Sequence, residues 1–78
     1  MSKVQPAPIM ISPDQCRAAR AALNLTTTEV IAALGMGQAT LAKFEAGGEV
    51  RPTVADRLRD LFEARGVSFA PDGRGVSW

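Results

Sequence analysis

The sequence predicts an all-α core of four helices followed by a short C-terminal β-strand or hairpin. Three observations lead to this fold class. Apolar residues recur at helical spacing in four successive segments, start and stop signals bracket each segment, and the apolar period changes to two near the C-terminus. The 78 residues suffice for one domain, with an N-terminal arm (1–11), a helical domain (12–66) and the C-terminal strand or hairpin (67–78).

The first helix is predicted to follow a proline-containing arm and a short apolar run at 9–11, which is either a strand or a strip lying on the core. Ser12 can cap the first turn, and Gln15 three residues later completes a capping box. Pro13 suits the first helical position, and Asn24 tolerates the left-handed conformation that ends a helix. The inward stripe consists of Cys16, Ala19 and Leu23.

Two short helices joined by glycines are predicted next. Thr26 and Glu29 form a second capping box, and the helix that they begin spans 27–34. The segment Gly35-Met36-Gly37 stops this helix and caps the third one, which the glycines at 47–48 end. The predicted inward residues are Val30, Ile31 and Leu34 on helix two and Leu41 and Phe44 on helix three.

The fourth helix is predicted to be capped by Thr53, with Asp56 reaching back from three residues later, and to end at Gly66. Its apolar face consists of Val54, Leu58, Leu61 and Phe62. Segments 67–69 and 76–78 then alternate apolar and polar residues around a turn rich in glycine, which is typical of a hairpin. Because an isolated hairpin is barely stable in water, we expect it to pack on the helices or to pair with another chain.

The composition excludes most catalytic chemistry. The chain has no His, no Tyr and one Cys, which removes the usual metal-ligand sets, the Ser-His and Cys-His nucleophile pairs and any intrachain disulfide. We therefore expect no enzyme, metal site, cofactor or small-molecule ligand, and we interpret Cys16 as a buried small residue rather than a redox sensor. No apolar run approaches the ~18 residues of a membrane span and no signal-peptide core is present, so we expect a cytoplasmic protein.

The outward face of helix three is the most informative part of the sequence. A structural surface helix usually carries Glu/Lys pairs at i,i+4, whereas this face has no acidic residue before Glu45. Gln38 can bond to adenine N6 and N7, and the methyl groups of Ala39 or Thr40 can touch that of thymine. Lys43 can reach guanine or a phosphate. Two short helices joined by a glycine-containing turn are the arrangement that places a second helix in the DNA major groove. The alternative interpretation is that helix three is an alanine-rich helix exposed to solvent.

Residues 12–65 resemble the phage-repressor and Cro-like (XRE-type) helix-turn-helix family. The resemblance runs through 23–30 (LNLTTTEV), 34–36 (LGM) and 37–47 (GQATLAKFEAG), and it covers about two-thirds of the chain. The spacing of Gly35, the apolar positions, and Phe44-Glu45 followed by Gly47 make it fairly specific. It implies a four-helix, lambda-repressor-like helix-turn-helix domain over 12–66 that binds double-stranded DNA with helix three.

The resemblance also implies roles for individual residues. Gln38 and Ala39 open the recognition helix, where family members read base edges, and Lys43 lies one turn further along. The implied phosphate contacts are Thr26, Thr27, Thr28, Gly37, Thr40 and Arg51. Thr27 replaces a usual Gln, so its contact is made by a shorter side chain or by the main-chain amide, and Gly37 replaces a usual Ser or Thr.

The charge balance predicts how the protein binds DNA. A net charge of +1 provides little positive field, so phosphate contacts must depend on helix N-termini rather than on many basic side chains. Two half-sites about 34 Å apart would combine the contributions of two chains, so we predict a homodimer on a palindromic operator. The dimer interface is assigned to the C-terminal segment, through Val67, Phe69, Val76 and Trp78. The alternative is a hairpin folded over helix four of its own chain.

The sequence thus predicts a sequence-specific transcription regulator, associated with the nucleoid. A repressor is favoured because we expect no separate activation or ligand domain, although the 45–49 loop leaves activation open. By the resemblance, Arg20 and Glu45 match an ion pair between helices one and three. The alternative function is a protein-interaction or antitoxin-like adaptor, for which Gln38→Ala and Lys43→Ala would leave function intact.

Overall fold

The computed structural model describes residues 10–78, which form four helices and a two-stranded antiparallel sheet. The elements are α1 (Pro13–Leu23), α2 (Thr27–Leu34), α3 (Gln38–Glu45), α4 (Pro52–Ala64), β1 (Ser68–Phe69) and β2 (Val76–Ser77). The prediction of a helical core followed by a C-terminal hairpin is confirmed. Except for its last two residues, the predicted N-terminal arm lies outside the described residues.

Reciprocal hydrogen bonds fix the starts of α1 and α2, as the sequence predicted. The amide of Gln15 donates to Ser12 Oγ at 3.1 Å, and the amide of Ser12 donates to Gln15 Oε1 at 3.0 Å. The amide of Glu29 donates to Thr26 Oγ1 at 3.1 Å, and the amide of Thr26 donates to Glu29 Oε1 at 2.8 Å. Each pair satisfies amides that the first turn of a helix leaves without a partner.

Left-handed residues end both helices and turn the chain. Asn24 has φ 57° at the end of α1, and Gly35 has φ 64° at the end of α2. The amide of Met36 then donates to the carbonyl of Ile31 at 3.1 Å, and Gly37 begins α3 with extended backbone. The two helices joined by this turn have 8 residues each. Each is therefore only about 12 Å long and depends on packing for its stability.

The predicted capping of α4 by Thr53 is wrong. The helix begins at Pro52, Arg51 is its N-cap, and no side chain caps this end. Proline favours the first helical position because its φ is already helical and it has no amide to leave unpaired. Thr53 is therefore inside the first turn, and Asp56 does not reach back to cap it but lies with Oδ1 3.6 Å from Arg59 Nη1.

One apolar core lies between the helices and the hairpin. Its buried residues are Ile11, Cys16, Ala19, Val30, Leu41, Phe44, Ala55, Leu58, Phe62 and Val67. Five residues that the sequence placed on the inward stripes are only partly buried at the edge of this core: Leu23, Ile31, Leu34, Val54 and Leu61. Ala55 is fully buried although the sequence did not predict it, and its small side chain allows close packing of α4.

The hairpin packs on its own chain. Phe69 of β1 pairs with Val76 of β2, and the Phe69 ring lies 6.2 Å from the ring of Phe62 on α4. After Gly66, which has φ 98°, the chain turns inward, and Val67 is only 2% exposed. This burial corrects the assignment of Val67 to the dimer interface, because its side chain is covered by the core of its own chain.

Side chains at the start of α1 hold the hairpin loop. Gln15 is 1% exposed, and its Nε2 donates to the carbonyls of Ala70 and Gly75, both at 2.9 Å. The Ser12 hydroxyl donates to the carbonyl of Gly73 at 2.7 Å. The two residues of the first capping box therefore also attach the C-terminal segment to α1.

Candidate nucleic-acid interface

α3 has a buried face and an exposed face. Leu41 and Phe44 point into the core with 1% and 3% exposure, as predicted. The opposite face consists of exposed residues, which we call the α3 outer surface: Gln38, Ala39, Ala42 and Lys43. Thr40 is partly buried at its edge. This surface therefore combines one amide, one ammonium group and two methyl groups, without a carboxylate.

The one acidic residue of α3 is held against α1. Arg20 Nε lies 2.8 Å from Glu45 Oε2, and Arg20 Nη2 lies 2.9 Å from Glu45 Oε1, so the pair is bidentate. The side chains are 20% and 13% exposed, and the hydrogen bond that Arg20 donates to Glu45 raises the pKa of Arg20. The implied structural ion pair is present, and it neutralises the Glu45 carboxylate on the side of α3 that faces α1.

Cys16 lies against the same carboxylate. Its Sγ donates to Glu45 Oε2 at 3.3 Å, and the side chain is fully buried. Burial, together with the neighbouring Glu45 carboxylate, raises the pKa of Cys16 to about 12. The thiol therefore stays protonated, which agrees with its interpretation as a buried small residue, since thiol oxidation proceeds through the thiolate.

The capping box at the start of α2 engages the donors of Thr26. The main-chain amide and the hydroxyl of Thr26 both donate to Glu29 Oε1, at 2.8 and 3.2 Å. The capping box thus occupies both donors of Thr26, one of the residues that the resemblance implies as phosphate contacts. Thr27 and Thr28, at the first two helical positions, are partly buried and exposed, respectively. A groove beside Thr26 and Thr27 is also lined by Arg17 and other residues of α1.

A second groove lies between α3 and the start of α4. Thr40 and Lys43 of α3 line one side, and Glu49, Val50 and Arg51 of the following loop, together with α4, line the other. Arg51 is exposed. Three of the predicted DNA contacts, Thr40, Lys43 and Arg51, thus line the same groove. The exposed Gly37 lies at the opposite end of α3, as its N-cap.

Arginines of the longer helices bind the C-terminal carbonyls of the two short helices. The Arg17 guanidinium donates to the main-chain carbonyl of Glu45 at the end of α3, as well as to the carboxylate of Asp14. The Arg57 guanidinium donates to the carbonyl of Leu34 at the end of α2. Sequence reasoning missed both contacts. The spacing of Arg17 and Arg20, which puts them on one face of α1, was the available signal.

The remaining residues assigned to the dimer interface differ in exposure. Phe69 and Val76 are partly buried and pack against the core. Trp78 is 77% exposed, and Met10, at the other end of the described chain, is 44% exposed. An apolar groove next to Met10 is lined by Ile11, Phe44 and Val50 as well. Because most of its side chain is exposed, Trp78 is accessible to a second chain.

Within residues 10–78, no three His, Cys, Asp or Glu side chains come together as potential metal ligands. In the same part of the chain, none of the helices has the length and apolarity needed to cross a membrane. Comparison of the chain with protein-family models, curated proteins and solved structures found no match.

Proposed function

We propose that the protein is a sequence-specific transcription regulator of the XRE-type helix-turn-helix class, acting in the cytoplasm as a repressor. In this proposal, α3 is the recognition helix that enters the major groove of double-stranded DNA. A homodimer binds a palindromic operator, with one α3 in each half-site.

The observation that carries this proposal is the composition of the α3 outer surface. The Gln38 amide offers a donor and an acceptor, which match N7 and N6 of adenine, and the adjacent Ala39 methyl can contact the thymine methyl group. Because Ala39 and Ala42 are small, the helix can approach the groove floor closely. The withdrawal of Glu45 toward Arg20 also supports the proposal, because a carboxylate on this face would repel the phosphates.

The phosphate contacts are proposed at two places, the start of α2 and the loop before α4. The amides of Thr27 and Thr28 at the start of α2 can bind a phosphate, and the helix dipole favours negative charge there. Arg51 supplies positive charge beside α4. Since the net charge is only +1, we expect weak binding to nonspecific DNA and a strong dependence on the bases that α3 reads.

The proposed homodimer contact lies in the C-terminal segment, with Trp78 as its main apolar side chain. An exposed indole is a frequent anchor in protein interfaces. The exposed parts of Phe69 and Val76 would extend the same contact. The proposal includes no cofactor and no small-molecule ligand.

Selection of bound sequences from a random pool of duplexes, with the full chain, tests this function. We expect an enriched motif with two-fold symmetry, and Gln38→Ala should relax the preference at one position in each half-site. Asp60→Ala, a polar truncation at an exposed residue of α4, is the matched control and should leave the motif unchanged.

Absence of any sequence preference at micromolar protein and about 100 mM salt would contradict DNA reading. The second candidate is then a protein-interaction or antitoxin-like adaptor, which the apolar groove beside Met10, Ile11 and Phe44 favours. For an adaptor, Gln38→Ala and Lys43→Ala would leave partner binding intact, and changes in the groove or hairpin would abolish it.

A further inference from the structure

Gly48 leaves room for the Lys43 side chain. A Cβ atom at Gly48 would lie 2.7 Å from Lys43 Cγ and 3.4 Å from Lys43 Cε, and the first of these distances is too short for two carbon atoms. The amide of Gly48 also donates to the carbonyl of Lys43 at 2.9 Å. Gly48 is not among the glycines with positive φ, so close approach, rather than backbone conformation, explains the glycine at this position.

This contact defines the direction of the Lys43 side chain. Long side chains on helices usually lean toward the N-terminus of the helix. Lys43 instead extends from Cγ to Cε over the backbone of Gly48, which follows the end of α3. Lys43 also lines the groove that Thr40 and Arg51 line.

We infer that Lys43 binds a DNA backbone phosphate together with Arg51 rather than a base, and that Gly48 is the positioning residue that holds it there. The inference rests on the proposed DNA-binding function. The sequence left open whether Lys43 contacts guanine or a phosphate, and the inference selects the phosphate. An ammonium group and a guanidinium group on one groove, beside the Thr40 side chain, suit a phosphodiester because all three can donate to its oxygens. Glu49 on the same groove opposes the phosphate and moderates the affinity.

Equilibrium binding of Lys43→Met to the selected operator tests the phosphate contact, because methionine keeps most of the side-chain stem and removes the charge. We expect the affinity for the operator and for each of its single-base variants to fall by the same factor. If two phosphate contacts are lost per dimer, the wild-type advantage should shrink about twelvefold between about 50 and 200 mM salt. Arg65→Gln removes a positive charge at the far end of α4 and is the matched control, with little expected effect.

The positioning role of Gly48 is tested by a double-mutant cycle. Gly48→Ala should weaken binding to all sequences alike, and the Lys43→Met/Gly48→Ala protein should bind no more weakly than Lys43→Met, because both changes remove one contact. A merely structural role would weaken both backgrounds equally. Gly75→Ala is the glycine control, since its Cβ would meet only Ala70 Cβ at 3.9 Å. Circular dichroism verifies that each variant is folded.

Three further results would overturn the inference, and they are distinguishable. If the wild-type protein binds no duplex with preference, the proposed function fails and the inference with it. If the wild-type protein reads an operator and Lys43→Met relaxes one base position, Lys43 reads a base and only the inference fails. In the free protein, NMR should show an NOE between the Gly48 α-protons and the Lys43 γ-protons, and its absence would refute the positioning by Gly48.

Discussion

Replacing Gln15 by Ala should release the C-terminal hairpin from α1. The Gln15 side chain is 1% exposed and its Nε2 donates to the carbonyls of Ala70 and Gly75, both at 2.9 Å. Its Oε1 accepts from the amide of Ser12 at 3.0 Å. Alanine removes all three hydrogen bonds and leaves two carbonyls and one amide without these partners.

The expected loss of stability follows from these partners. A buried polar group that loses its partner costs about 1–3 kcal/mol, and water can reach the partly buried Ala70 and Gly75 after the change. We therefore take the lower end for the Ala70 carbonyl and the Ser12 amide, and less for the Gly75 carbonyl, which keeps the Ala70 amide as a donor, and expect a total loss of about 2–3 kcal/mol. A domain of this size has a free energy of unfolding of about 4–12 kcal/mol, so the loss is a large part of the total.

Urea unfolding followed by circular dichroism measures this loss, and hydrogen exchange locates it. The amide of Ala70, which donates to the carbonyl of Gly75 at 2.9 Å, should lose protection more than the amides of α3. Gln38→Ala is the matched control, because it makes the same change at an exposed helical residue, and it should be neutral or slightly stabilising. If Gln15→Ala is no more destabilising than Gln38→Ala, the hydrogen bonds of Gln15 do not hold the hairpin.

Three further predictions concern other parts of the molecule. Glu45→Ala should lower the free energy of unfolding by about 1–3 kcal/mol in urea titrations, because it leaves the partly buried Arg20 without its carboxylate; an unchanged midpoint would contradict this. Since the pKa of Cys16 is raised from 9.0 to about 12, the native protein retains a proton that the unfolded chain loses. The free energy of unfolding should therefore fall as the pH rises from 9 toward 12, and Cys16→Ala should abolish that dependence in urea titrations at each pH. Trp78→Ser should change the monomer's free energy of unfolding by less than about 0.5 kcal/mol, because the side chain is 77% exposed, yet weaken self-association in sedimentation experiments; an unchanged dimer Kd would exclude Trp78 from the interface.

The sequence predicted those features of the fold that depend on neighbouring residues. The capping boxes at Ser12 and Thr26 have both partners within four residues, so their signals survive in the sequence alone. Thr53 misled the prediction because two start signals overlapped, and the fixed φ of Pro52 outweighed the capping hydroxyl. The hairpin was predicted from the change to an alternating pattern. Its hydrogen bonds to Ser12 and Gln15 at the start of α1 were not predicted.

Long-range contacts explain what the sequence did not predict. The partners of Gln15 are 55 and 60 residues away, and the partner of Arg57 is 23 residues away, so no local pattern marks them. For the candidate site, periodicity correctly predicted that Gln38 and Lys43 are exposed. The direction of the Lys43 side chain depends on the open space at Gly48, which only the three-dimensional arrangement reveals.

In the proposed homodimer, the two points at which α1 is attached to other elements would affect the spacing of the half-sites. Gln15, in the first turn of α1, donates hydrogen bonds to the C-terminal hairpin. Arg20, in the second half of α1, forms an ion pair with Glu45 of α3. These residues are five positions apart, so about 7.5 Å of continuous helix links the two attachments. In a dimer joined through the C-terminal hairpins, α1 would connect each hairpin rigidly to the α3 helix of its own chain. The orientation of one α3 relative to the other would then be fixed, because no flexible segment lies between them. Such a rigid pair should reject an operator lengthened by one base pair instead of stretching to fit it.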